Sequence, residues 1–243
     1  QLPLGVVGIA IGVVLLPDLS RRLAAHDADG ARNAYSRAGE VSLALTIPCA
    51  VALVVVPVPL VSVLFERGAT TAADSVAIAQ AVAIYGLGLP AFVLQKILQP
   101  LFFAREDTRT PFRYAVTAMV VNAVVAVGLA PLIGWIAPAI ATTVAGWAMV
   151  GLLAVGARNL GPEARFDDRF WSRIWRVCLA SAIMGAAVWA LASAWSGPLT
   201  APGIRYAALA GLVAAGMAVY FGAGQILGAF RLAEFRAAFR RGT

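Results

Sequence analysis

The chain has 243 residues, 61% of them hydrophobic and only 13% charged, with a formal net charge of +7 and a mean hydropathy of +0.84. Soluble domains carry about 25% charged residues, so this composition excludes a water-soluble globular enzyme and makes lipid the solvent. A charge of this sign could bind a nucleic-acid backbone, but the arginines here cap and separate apolar runs. No nucleic acid is expected, and anionic membrane lipids are the electrostatic partner.

A helix needs roughly 20 apolar residues to cross about 30 Å of hydrocarbon. Seven stretches are read as spans on that criterion: 2–16, 41–65, 76–104, 114–133, 136–155, 174–194 and 206–230. The first is short and has neither a basic flank nor a small-residue cleavage site, so the chain is read as part of a longer protein entered within a span. Sixteen of the eighteen arginines fall in residues 21–37, 105–113, 158–176 and 231–241, between or after the spans. Lys/Arg-rich loops stay in the cytoplasm, so all four segments, the C-terminus included, are expected there. Trp135 and Trp195 then lie at outer span ends and Trp171 and Trp175 at an inner end, as interfacial tryptophans do. Trp147 and Trp189 fall inside spans and are read as packing residues.

The first connector, residues 20–39, reads as a short surface helix broken at Gly30. It is either a solvated connector or a docking surface for an acidic partner or headgroup. The second span holds Cys49 and the sixth Cys178, both read as small buried hydrophobes. With a single histidine, His26, in a polar stretch and no CxxC pair, no metal site is expected.

The third span holds most of the chemistry. Gln95, Lys96 and Gln99 lie in its inner half, and Lys96 is the only lysine of the chain. A charge near mid-bilayer costs about 2.5–3.5 kcal/mol on insertion scales and usually faces a polar cavity. Cavity lining is the favoured reading; snorkelling along a flexible stem is the alternative. Gly86, Gly88 and Pro90 predict a kink, because proline removes a helical hydrogen bond and glycine loosens the turn, and a hinge is the sharper reading. Asn122 in the fourth span and Thr142 and Thr143 in the fifth read as interhelical hydrogen-bonding groups, with an ion site as the alternative. No nucleophile elbow, paired carboxylates or phosphate loop is present, so neither an enzyme nor a cofactor is expected.

The stretch LGLPAFVLQKILQPLFFAREDTRTPFR, with the loop Arg105, Glu106, Asp107, Thr108, Arg109 and Pro111, closely resembles the MurJ/MviN family of lipid II flippases, within the multidrug/oligosaccharidyl-lipid/polysaccharide exporter superfamily. Supporting stretches are LPLGVVGIAIGVVLLPDLSR, IPCAVALVVVPVPLVSVLFERGA and YFGAGQILG. The resemblance implies an all-α membrane protein, a polytopic helical bundle of about seven transmembrane helices in this chain. Residues 1–160 would belong to a C-terminal six-helix lobe without its first helix, and 161–243 would supply two additional helices.

It also implies a bacterial cytoplasmic (inner) membrane protein of peptidoglycan synthesis. In such a protein an undecaprenyl-linked lipid binds a cationic cavity shared with an N-terminal lobe and crosses by alternating access. Lys96 matches the family's third-span lysine, and the extra helix pair would shape a groove for the lipid tail. Some members hold sodium with an Asn, an acidic residue one turn on and a Thr. Asn122 and Thr142 match, but the acidic position is Ala126, which favours proton or potential coupling. The alternatives are a polysaccharide-unit flippase or drug antiporter of the superfamily, or a non-transporting scaffold for cell-wall synthesis proteins.

Overall fold

The computed structural model describes residues 5, 10–66, 70–201 and 203–229. Among them the chain is helical: α1 (Ala10–Ala24), α2 (Ala28–Val55), α3 (Pro57–Phe65), α4 (Ala72–Phe103), α5 (Arg109–Ile133), α6 (Ala137–Ala157), α7 (Asp168–Ala194), α8 (Ser196–Thr200) and α9 (Arg205–Ile226), with short 3₁₀ turns at Gly134–Ile136, Arg158–Leu160 and Pro162–Ala164. Five apolar segments are long enough to cross a membrane, and one of them, Arg109–Leu160, has 52 residues. At about 1.5 Å per residue that is more than twice the hydrocarbon thickness, so it folds back at the Gly134 turn into α5 and α6. Gly134 sits at φ +59°, a conformation glycine reaches without steric cost. The expected span 2–16 lies partly outside the described residues, which hold its last seven positions in α1; the arginines of 231–241 and the C-terminus lie outside them.

Two expected boundaries move. The connector 20–39 is not broken at Gly30: the chain turns at residues 25–27, where His26 has φ +56°. Asp27 then caps α2 by accepting a hydrogen bond from the Gly30 amide at 2.9 Å. Gly30 therefore belongs to the first turn of a helix that runs from the connector into the apolar stretch. The expected span 41–65 is split at Val56 (φ −128°, ψ 48°), because the residue before a proline is pushed out of the helical region and Pro57 opens α3. The capping box of Thr71 and Asp74 starts α4.

Packing neighbours run in the order α5, α6, α4, α2, α7, α9, with α1 against α2 and α4 and α3 beside α4 and α9. Two large apolar cores and a small one around Ala44, Val177 and Ala229 result among the described residues. One large core, around Tyr35, Val93, Ile97, Leu101, Phe102 and Leu153, joins α1, α2, α4 and α6. The other, around Val63, Ala180, Leu199, Leu212 and Tyr220, joins α3, α7, α8 and α9. Apolar burial drives little association within lipid, so close approach at small residues carries much of the packing. A Cβ on Gly86 would sit 3.0 Å from Leu53 Cβ of α2, and one on Gly185 only 2.7 Å from Val51 Cγ1.

Ion pairs bring the three described arginine-rich segments to one end of the bundle. Arg37 of α2 pairs with Glu40 and with Asp167, the cap of α7. Arg173 reaches Glu40 at 3.2 Å, Arg32 donates to the Phe166 carbonyl at 3.4 Å, and Arg105 meets Glu163 at 2.7 Å. At the opposite end Arg205 donates to the Glu66 carbonyl at 3.4 Å. Trp135, Trp171 and Trp175 are about 60% exposed, as interfacial rings should be. Trp189, expected to pack, is 62% exposed instead. Its place on the outer face of α7 could not be told from hydropathy, since lipid accepts the ring as readily as a core does.

Candidate functional site

The α4–α6 contact is tied by three side chains that donate to backbone carbonyls. Gln95 Nε2 reaches Gly146 O at 3.0 Å, Thr143 Oγ1 reaches Ile84 O at 3.0 Å, and Trp147 Nε1 reaches Leu87 O at 3.0 Å. Two of these carbonyls flank Gly86, whose own carbonyl loses its helical partner because Pro90 has no N–H. Neighbouring helices commonly supply polar groups around a proline in a membrane helix, and α4 continues through Pro90 without a break. Gly88 and Gly146 make room for the Phe92 ring. A Cβ at Gly146 would lie 2.9 Å from Phe92 Cε1, and one at Gly88 3.0 Å from Thr143 Oγ1 and 3.1 Å from Phe92.

Beside this contact α4, α5 and α6 border an open hollow of about 360 Å³, where the polar groups Gln95, Gln99, Asn122 and Thr142 stand among apolar ones such as Phe92, Met119 and Met149. Asn122 Nδ2 donates to Thr142 Oγ1 at 3.3 Å, and that hydroxyl donates to the Pro138 carbonyl at 2.8 Å. Four of the expected polar residues thus come together. Lys96 does not line the hollow; its neighbours Gln95 and Gln99 do. It is exposed and has no ion pair among the described residues. It shares a stripe of α4 with Tyr85, Phe92, Gln99 and Phe103, positions spaced as one helical face requires. It lies seven residues before Phe103, about 10 Å from the helix end at 1.5 Å per residue.

The hollow fits a hard cation poorly. A calcium-like ion takes roughly six or more oxygens, carboxylates usually among them, and the lining of this hollow holds no carboxylate. The Thr142 oxygen already accepts from Asn122, which takes up one of its lone pairs. Among the described residues no group of three His, Cys, Asp or Glu could hold a metal.

The loop after α4 divides its tasks. Arg105 donates to Leu101 O (2.8 Å) and Leu160 O (3.2 Å) besides Glu163. Glu106 turns the chain at φ +61°. Asp107 accepts from the Thr110 amide at 2.9 Å, and the Thr110 hydroxyl and amide together hold its carboxyl below the usual carboxylate range. Thr108 caps α5 by position only, with no side-chain bond. Arg109 is exposed and Pro111 buried in the first turn of α5, where a missing N–H costs nothing. The partners of this loop, Leu160 and Glu163, lay beyond any motif. Their only sequence signal is an acid placed among arginines.

A second hollow of about 300 Å³ runs between α2, α7 and α9, walled by apolar groups such as Leu45, Pro48, Met184, Val213 and Met217.

Comparison with known proteins bears on these features. A family model described as "Lipid II flippase MurJ" matches residues 1–206. The chain is 42% identical over 245 residues to a probable lipid II flippase MurJ of Rhizobium meliloti (strain 1021), covering 100% of this chain and 46% of the relative. It is 38% identical to the counterpart from Rhizobium tropici, over 99% of this chain and 46% of that one. The probable flippase of Vibrio cholerae is 33% identical, over 98% and 45%. The chain thus spans about half the length of the curated relatives it matches. A solved structure of lipid II flippase MurJ in an inward closed conformation superposes with a TM-score of 0.74 over 93% of this chain and 44% of that one. Its 23% identity speaks to the fold alone.

Proposed function

Because this chain belongs to the MurJ family, we propose that it supplies the C-terminal part of a flippase that moves lipid-linked peptidoglycan precursor across the bacterial cytoplasmic membrane. The chain is a multi-pass helical membrane protein. In the proposal residues 1–160 complete a six-helix lobe, 161–243 add two helices, and an N-terminal lobe of the same protein closes the other side of the cavity. The arginine-rich end and the C-terminus face the cytoplasm.

The observation that carries this reading is the position of Lys96. The only lysine of the chain stands on the exposed stripe of α4, one residue from Gln95 and three from Gln99 at the open hollow. An ammonium is a compact charge that attracts diphosphate without fixing its orientation, which suits a group that must bind and then release. Gln95 and Gln99 add hydrogen bonds for the headgroup, and the apolar groove between α2, α7 and α9 takes the undecaprenyl tail. Transport is by alternating access, with the Gly86–Gly88–Pro90 turn as hinge and no covalent chemistry. The internal pairing of Arg37, Arg105 and Arg173 leaves fewer cations for a scaffold that docks acidic proteins, which supports transport over scaffolding.

The test is depletion of the native protein in cells carrying the intact gene, with the precursor exposed at the outer face measured directly. The intact gene restores exposure and growth, and Lys96→Ala abolishes both. Restored growth without exposed precursor would point to a scaffold instead.

A further inference from the structure

A third hollow, of about 740 Å³, lies on another face of α4 from the one beside Gln95 and Gln99, between α2, α4, α6 and the start of α7. Its walls are apolar: Leu43 and Ile47 of α2, Leu94 and Leu98 of α4, Val150 and Ala154 of α6. Along α6 it extends from Arg158 to Trp147, eleven positions apart, or about 16 Å at 1.5 Å per residue. That is close to half of a hydrocarbon core about 30 Å thick, the depth of one leaflet.

The mouth has a different chemistry. Arg158 and Arg165 line it and are exposed, and neither has an ion pair among the described residues. The two acids of the strap between them and α7 are already engaged, Glu163 by Arg105 and Asp167 by Arg37. No carboxylate lines the hollow. Its rim is aromatic: exposed Trp171 stands edge-on at 5.4 Å from Phe170, and half-buried Phe166 lies between the buried rings of Tyr35 at 4.4 Å and Phe170 at 3.8 Å. A cationic mouth, an aromatic rim and an apolar shaft one leaflet deep complement a phosphodiester, its glycerol region and its acyl chains in that order.

We infer that this hollow is a binding site for an anionic phospholipid of the arginine-side leaflet, with Arg158 and Arg165 on the phosphate and an acyl chain between α4 and α6. The site is separate from the α2–α7–α9 groove assigned to the substrate tail. It depends on the membrane placement proposed above and not on transport. Phospholipid there ties the strap to the bilayer and so steadies α7 against the lobe.

The intact protein is reconstituted in nanodiscs of equal phosphatidylglycerol and phosphatidylcholine, extracted, and its retained lipid counted by native mass spectrometry. Phosphatidylglycerol is retained in preference. The double variant Arg158→Ala/Arg165→Ala loses about fivefold of that preference per arginine, and Arg158→Lys/Arg165→Lys keeps it. Ala154→Trp fills the shaft and lowers retention with both arginines in place. Unchanged retention in the double alanine variant and in Ala154→Trp overturns the site. So does replacement of phosphatidylglycerol by added undecaprenyl phosphate, which would assign the hollow to the substrate. Labelling of Asn159→Cys from the outer face would overturn the membrane orientation alone, because retention is read independently of sidedness.

Discussion

Arg105 and Glu163 meet at 2.7 Å across 58 positions of sequence, and the same guanidinium donates to the carbonyls of Leu101 and Leu160. One side chain therefore ties the end of α4, the loop before α5 and the strap before α7. Arg105→Ala leaves a half-buried carboxylate and two carbonyls without this donor and should cost about 1–3 kcal/mol. Glu163→Gln keeps an oxygen acceptor for the guanidinium and removes only the charge, so it should cost less, about 1 kcal/mol. Thermal unfolding of the purified protein in detergent checks both. Equal losses from the two variants would mean that the carbonyl bonds contribute nothing.

The Phe92 ring sets a second expectation. Gly146→Ala places a methyl 2.9 Å from Phe92 Cε1, whereas Gly151 of the same helix has nothing within 4 Å of its Cβ position. Overpacking costs about 1–3 kcal/mol, while Gly→Ala in an open helical position gains up to about 1 kcal/mol. Gly146→Ala should lower the melting temperature and Gly151→Ala should hold or raise it. The reverse order would show that Phe92 moves aside freely.

Asp107 gives a pH dependence. Its folded carboxyl is held below the ordinary range by Thr110, so its contribution to the start of α5 is complete above the unfolded value of about 3.9. It is lost as pH falls through the lower folded value. Hydrogen exchange of the Thr110 amide, bonded to Asp107, should therefore stay slow through mild acid and accelerate only well below pH 4. Asp107→Asn should flatten that profile.

Much of this arrangement could be read from the residues because each signal is local. Apolar length marked α4 to α7 and α9, the arginine spacing predicted which loops share one end, and Asn122 and Thr142 stood out as polar groups in apolar helices. What stayed hidden depends on partners distant in sequence. Trp147 looked like packing and instead donates to a carbonyl beside Pro90. Glu163 and Asp167 carry no motif, and their partners Arg105 and Arg37 lie 58 and 130 positions away. Hydropathy also cannot tell a lipid-facing ring from a packed one, which is why Trp189 fell on the wrong side.

Substitution at position 96 separates charge from side-chain shape. Lys96→Arg keeps the cation and should support growth of cells depleted of the native protein, with Lys96→Ala failing. Loss with both variants would tie the position to the compact ammonium rather than to charge alone.

The stripe of α4 that carries Lys96 has to border water for any of the transport account to hold. With Cys49 and Cys178 replaced by alanine in the intact protein, Lys96→Cys and Trp189→Cys are exposed to a membrane-impermeant thiol reagent in membranes open on both sides. Modification of position 96 with position 189 silent in the lipid is the expected result. If position 96 is as unreactive as position 189, α4 turns this face to lipid and Lys96 does not line a path for the substrate.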